Sequence, residues 1–292
     1  MDLASTVLLE TGLLSEALYQ QYGVDLRRYD QSKLSRKLTA LCLRNGLENI
    51  SGLQSRVLYD SAFAEDTLRY VSQGQNMLVS QPDAMTALRC ALLPVLRSAS
   101  FPTIWLAECD SALMILQFAA WLEDEQLLSK TRLYVTHANE RIVQELSTFT
   151  VPASEVDIAC DLYAQSGARS ALSAHCLLSA EGLALRPELQ LSIVLGQYDL
   201  VTDASLREFE AIVCLRALSD FEPSLQKEVI ALFSDSLCNF GILHADMPAP
   251  LRPHAVQGLF QAVLHEQGLY RRLPAHEFVL HASRTPAESL HR

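Results

Sequence analysis

The chain has 292 residues, enough to bury a large core and to form two domains of unequal size. With 49% hydrophobic and 20% charged residues it reads as a compact soluble protein with no room for a long disordered segment. Its formal net charge of -11 opposes general binding to nucleic acid or to an anionic membrane, because both surfaces repel that average charge.

The N-terminal stretch MDLASTVLLETGLLSEALY lacks a basic start and carries Asp2, Glu10 and Glu16, so it is not read as a signal peptide. Helical periodicity runs from there to about residue 97. Leu34, Leu38, Leu41 and Cys42 share one helical face, Ser51 with Gln54 resembles a capping box, and Ser80 with Pro82 and Asp83 marks a helix that runs to Arg97. Within this part, Arg27, Arg28, Lys33, Arg36, Lys37 and Arg44 stand against one acidic residue, Asp30. At about 100° per residue, Lys33, Arg36, Lys37 and Arg44 fall on one side of a helix and the leucines on another. This face is either solvated or a docking surface for an acidic partner helix.

From residue 101 the pattern changes. The apolar runs TIWLA, RLYVT, LQLSIVL and FEAIVCL alternate with helical stretches, which predicts parallel strands with crossover helices. The turn after TIWLA is Glu108, Cys109, Asp110, Ser111 and Ala112. It has no glycine, the residue that lets the backbone approach a cofactor in a nucleotide-binding sheet. The longest apolar run, ALMILQFAAWL, is too short to span a bilayer and contains Gln117, so no membrane insertion is expected and the protein is placed in the cytoplasm. Residues 147–188 mix Ser, Ala and Gly with short apolar pieces and are assigned to a small irregular insertion. A helix is expected from Pro223, with Leu225, Val229, Leu232, Phe233 and Leu237 on one side, ending before Gly241. Residues 275–292 read as a tail.

The seven cysteines, Cys42, Cys90, Cys109, Cys160, Cys176, Cys214 and Cys238, form no CxxC pair, and their odd number fits reduced core thiols. Cys109, His137 and Cys214 close strands that meet at the switch point of a doubly wound sheet, where a thiolate with a histidine base or a zinc site is conceivable. The reading taken is two buried small hydrophobes and a hydrogen-bonded histidine, with no metal and no catalytic residue.

A helical N-terminal part followed in order by TIWLAEC, RLYVTHAN, FEAIVCLRALSDFEPSLQKEVIALFSDSLCNFGIL and GLYRRL resembles the chemotaxis receptor methyltransferases (CheR), from about Tyr22 to Arg272. The resemblance implies an α/β protein, with an all-helical domain at 1–97 and a Rossmann-like, doubly wound methyltransferase-type domain at 98–274. It also implies glutamate methylation on receptor helices with S-adenosylmethionine. What matches is scaffold: Trp105, Ala107, Cys109, Phe209, Ile212, Cys214, Leu218, Phe221 and Gly241.

The site departs from the family's pattern. Its threonine, asparagine, glutamate, threonine run with aromatics and an arginine is SQGQNMLVS here, from Ser72 to Ser80. Its glycine, glutamate, glutamate, proline, tyrosine segment falls on Ala112, Leu113, Met114, Ile115 and Leu116, and the ribose-holding acid of the second strand is His137. The arginine and asparagine after the later strand's cysteine are Leu215 and Arg216. Charge-assisted hydrogen bonds are worth roughly 1.5 to 3 kcal/mol each, so losing two or three weakens cofactor binding by orders of magnitude.

Glu108, Asp110, Ala112, His137, Asn139 and Leu215 therefore mark a vestigial pocket with no cofactor expected. The reading is a divergent, non-catalytic relative that acts through protein contacts in a bacterial chemotaxis-like pathway, with an acidic helical receptor or signalling protein as partner. Two alternatives stand beside it. One is an active S-adenosylmethionine-dependent protein-glutamate methyltransferase in which Glu108, Asp110 and Asn139 replace the usual contacts. The other is a sensor that binds a small molecule or nucleotide in the remodelled pocket.

Overall fold

A computed structural model describes residues 3–72, 81–206, 208–215, 217–245, 258–264 and 267–274. Four helices come first: α1 (Leu3–Tyr22), α2 (Gln31–Arg44), α3 (Ile50–Tyr59) and α4 (Ser61–Ser72). They close their own core around Leu14, Leu18, Leu34, Leu38, Leu53 and Val57. Asp30 caps α2 by accepting from the backbone N–H of Ser32 and Lys33 at 3.0 and 3.1 Å. The cap of α3 is Asn49, which accepts from Gly52 N at 2.9 Å, rather than the expected Ser51. Ser51 instead donates to Glu10 on α1, because the helix starts at Ile50 and Ser51 lies within its first turn.

α5 (Pro82–Ser98) follows, with Gln81 at its cap position; the expected start at Ser80 lies outside the described residues. Its Met85, Leu88, Leu92 and Leu96 join the core of the sheet and not that of α1–α4, so by packing the helical cluster ends with α4.

β1 (Thr103–Leu106), α6 (Ala112–Asp124), β2 (Arg132–His137) and α7 (Glu140–Leu146) open the α/β part. β1 and β2 pair in parallel, with Trp105 opposite Tyr134, as the runs TIWLA and RLYVT predict. The insertion is ordered: β3 (Thr150–Pro152), β4 (Cys176–Leu178) and β5 (Gly182–Leu185) make an antiparallel sheet in the order β3-β5-β4, with α8 (Val156–Gln165) between β3 and β4. Gly182 fixes this sheet, since a Cβ there would lie 1.9 Å from Val151 O.

α9 (Pro187–Gln190) occupies the first residues of the run expected as a strand, because Pro187 suits a helix start, and β6 (Ile193–Gln197) begins later. β7 (Phe209–Cys214), α10 (Ala217–Asp220), α11 (Pro223–Ser236), β8 (Leu237–Ala245), β9 (Phe260–Leu264) and β10 (Leu269–Arg272) complete the chain. α11 stops sooner than its apolar face suggests. Leu237 turns to extended backbone and opens β8, and Gly241 lies inside that strand, where a Cβ would come within 2.9 Å of Cys238 O and 3.2 Å of Phe209 O.

The main sheet has seven strands in the order β6-β2-β1-β7-β8-β10-β9. The first five are parallel, and β10 runs antiparallel between β8 and β9. Alternate residues feed opposite faces. Ile104, Leu106, Leu133, Val135, Ala211 and Val213 pack under α5 and α6, whereas Trp105, Phe209 and Ile212 pack under α11. On that second face the Trp105 ring lies 5.1 Å from Tyr198, 5.3 Å from Phe209 and 5.7 Å from Phe233, and its indole N–H donates to Thr136 Oγ1 at 2.8 Å. Burial on both faces explains why the strands read as continuous apolar runs.

The helical cluster is clamped to the turn after α10. Asp30 N donates to Asp220 O at 2.8 Å, Glu222 N to Arg28 O at 2.9 Å, and the Tyr29 ring meets Phe221 edge-on at 5.1 Å. Both oxygens of Glu228 accept from Arg28, at 2.7 and 2.8 Å. On the other side Arg141 of α7 reaches Asp66 at 3.0 Å and Arg69 of α4 reaches Glu145 at 2.9 Å.

Candidate functional site

A cleft of about 800 Å³ lies between these two attachments, over the C-terminal ends of the parallel strands. In an open parallel sheet this is where ligands bind. Glu108 stands at its floor with φ of 50°, in the left-handed region that a side chain enters only with strain. The turn after β1 thus keeps a shape that suits glycine while carrying a carboxylate. That carboxylate folds across to β2: its Oε1 accepts from Ala138 N at 3.1 Å and its Oε2 lies 3.6 Å from His137 Nε2.

His137 is fully buried at the end of β2. Its Nδ1 accepts from Asn139 N at 2.9 Å, so Nε2 bears the ring hydrogen and faces Glu108. Asn139 lines the cleft and caps α7 by accepting from Arg141 N at 2.9 Å.

Of the six expected pocket residues, Glu108 and Asn139 line the cleft and His137 lies beneath it. Asp110, Ala112 and Leu215 are not among the described residues that line it. Ala112 opens α6, whose next residues Leu113, Met114, Ile115 and Leu116 are all buried, and Leu215 packs against the same core. Ser72 lines the cleft; Gln73 to Ser80 and Arg216 lie outside the described residues.

Sequence reasoning missed the opposite wall. Gln197 ends β6, and Asp199, Thr202 and Asp203 follow it into the cleft, joined by Asp25 before α2, Glu65 on α4, Glu140 and Arg141 on α7, and Asp220. Following LQLSIVL to its C-terminal end would have found Asp199 and Asp203. Asp199 Oδ1 accepts from Val201 N at 2.8 Å, while burial, aided by Asp203 and Asp25, raises its carboxyl pKa above the ordinary aspartate range. Asp25 is the reverse case, lowered by its hydrogen bonds from Arg27. Seven carboxylates face one guanidinium among the described lining residues.

Cys109 and Cys214 are buried, and burial pushes the Cys109 thiol up to about 12, which leaves it protonated at neutral pH. Among the described residues no group of three or more metal-binding side chains is arranged around a common point.

The basic residues of α2 divide. Lys33 Nζ donates to Ser219 O, and Lys37 Nζ reaches Asp220 Oδ2 at 2.8 Å and Val71 O at 3.2 Å, so both lysines turn inward to the clamp. Arg36 and Arg44 stay exposed; Arg36 Nε donates to Ser32 O at 3.2 Å, and the Arg44 guanidinium lies 5.1 Å from the Tyr70 ring centroid.

The main sheet is mostly parallel, with antiparallel β10 inserted between β8 and β9. The chain is similar to "Putative methyltransferase Cher3" of Pseudomonas putida, with 24% identity over 264 residues that cover 90% of this chain and 97% of that one. No family model matches it. Among solved structures, N-methyltransferase NodS from Bradyrhizobium japonicum WM9 with S-adenosyl-L-homocysteine aligns at a TM-score of 0.35 and 12% identity, covering 64% of this chain and 86% of that chain. An O-methyltransferase family protein from Burkholderia thailandensis aligns at 0.32 and 13%, covering 92% and 64%. Among the described residues no helix is long and apolar enough to cross a membrane.

Proposed function

We infer that this chain is a non-catalytic relative of the chemotaxis receptor methyltransferases, acting in the cytoplasm through protein contacts. One observation carries the reading: the cleft covers the ends of β2 and β6, whereas the start of α6, where the methionine part of the cofactor belongs by resemblance, packs into the core together with Leu215. A methyl donor held only at its nucleoside end has no fixed sulfonium, and transfer needs that centre aligned to within about 3–3.5 Å of its acceptor. His137 cannot serve a ribose while its ring is buried against Glu108. The outward arginines Arg36 and Arg44 are the part of the α2 face left for an acidic helical partner. Incubation with S-adenosylmethionine labelled in its methyl group and with receptor cytoplasmic fragments is expected to leave the fragments unlabelled; labelled glutamate in them refutes the reading.

The active-enzyme reading is supported by one feature. Glu108 brings a carboxylate to the end of β2, and the acidic lining suits the sulfonium and ammonium of S-adenosylmethionine. The same lining opposes a nucleotide's phosphates, which weighs against a nucleotide sensor.

A further inference from the structure

The main sheet ends at β6, which pairs with β2 and, among the described residues, with no strand on its outer side. Leu133 N donates to Ser192 O at 2.9 Å and Tyr198 N to His137 O at 3.3 Å, so the even-numbered residues of β6 bond to β2. The ladder alternates, and Ile193, Leu195 and Gln197 therefore turn their N–H and C=O groups outward. An open edge is a template for another strand, and proteins blunt it with lysine, proline, a bulge or extreme shortness. β6 uses none of these. It is five residues long, its register on β2 runs without a break, and no charged residue or proline stands between Leu189 and Tyr198. Leu191 just before it is 78% exposed, and Val194 within it is 41% exposed.

Charge separates along this edge. At its start the exposed Arg132 of β2 reaches across to donate to Leu191 O at 2.8 Å, while Arg186 and Glu188 pair with each other at 3.7 Å. At its finish Asp203 Oδ2 accepts from Asp199 N at 2.9 Å, which holds two carboxylates just past Gln197. The edge is basic at its head and acidic at its tail, and its own reverse complements that gradient.

We propose that β6 is a dimerisation edge, pairing antiparallel with β6 of a second copy of this chain about a twofold axis at Leu195, so that two sheets become one. In that register Leu195 faces its own copy and Ile193 faces Gln197, and the outward backbone groups of all three find partners. Val194 falls opposite Gly196, where nothing in the same chain lies within 4 Å of a Cβ position. Arg132 comes beside Asp199 and Asp203 of the second copy, a local attraction that offsets the repulsion between two chains of net charge -11. Parallel pairing would set like ends together.

Sedimentation velocity of the full chain from about 1 to about 300 μM, with hydrogen exchange at both ends of that range, tests the assignment. A monomer–dimer equilibrium is expected, with the amides of Ile193, Leu195 and Gln197 gaining protection as the dimer forms. Val194→Lys puts a charge on an exposed position of the edge and is expected to weaken association at least about tenfold. Arg132→Glu is expected to weaken it several-fold and to remove most of its salt sensitivity. The wild-type exchange pattern decides even if a variant is unstable. A chain that stays monomeric over the whole range overturns the proposal. So does a dimer that protects Phe260–Leu264 instead, or one that neither substitution weakens. Protection of the three β6 amides already in the monomer would mean that another segment of the chain holds the edge, and likewise overturns it.

Discussion

The two halves of the sheet's C-terminal edge have been treated in opposite ways. At the ends of β1, β7 and β8 apolar packing wins: Cys109, Cys214, His244 and Ala245 are all buried, and burial holds the Cys109 thiol and the His244 ring neutral. At the ends of β2 and β6 a cleft stays open and collects carboxylates from α4, α7, α10 and the segments after α1, β1 and β6. A doubly wound sheet places both halves at its binding edge, yet one is spent on stability and the other remains available for a ligand or partner. The fold therefore does not decide the function, and the contents of the edge do.

The packed half can be broken with acid. Burial lowers the His244 pKa to about 4, with Nε2 donating to Gln267 O at 2.9 Å. Its folded pKa lies below the ordinary value, so its contribution is fully present above about pH 6.5 and is lost as pH falls toward 4, on the order of 3 kcal/mol in all. Chemical denaturation across that range is expected to lose stability steeply, and His244→Gln should flatten the dependence.

A smaller effect is expected at the clamp that shapes the open half. Lys37→Met leaves Asp220, 15% exposed, without its ion pair at 2.8 Å, and should cost about 1 kcal/mol, less at high salt. If instead stability is unchanged and partner capture falls, Lys37 belongs to the docking face.

Within the cleft the sign reverses. Asp199 has a raised pKa, so the fold favours its protonated form and that advantage is lost as pH rises through the folded value. Asp199→Asn should therefore stabilise the protein at pH 7 by a fraction of a kcal/mol, and by less near pH 4. Equal gains at both pH values would remove the assigned cause. The smallest effect belongs to the outer arginines: reversing Arg36 and Arg44 to glutamate should leave the melting temperature nearly unchanged while weakening capture of an acidic helix.

The framework was legible because its information is local. Residues buried on both faces of a parallel sheet must be apolar without interruption, and TIWLA, RLYVT and FEAIVCL meet that demand at β1, β2 and β7. The site was less legible because its geometry is long-range. Nothing in the spacing of Lys33 and Lys37 reveals that they meet Ser219 and Asp220, more than 180 residues away, and a helical wheel assigns them to a solvated face. The absent glycine after β1 did signal a changed turn, but the strain at Glu108 and its reach to Ala138 depend on the fold around it. Gly241 misled because a glycine after a helical pattern reads equally as a helix end and as a close approach inside a strand.

Calorimetric titration of the full chain with S-adenosylmethionine and S-adenosyl-L-homocysteine tests the central claim most directly. Because Leu113, Met114, Ile115 and Leu116 are buried and His137 is held against Glu108 beneath the cleft, no binding is expected at cellular cofactor concentrations. Saturable heat with a dissociation constant at or below roughly 100 μM, about -5.5 kcal/mol, would contradict the account and make Glu108 the first cofactor residue to mutate.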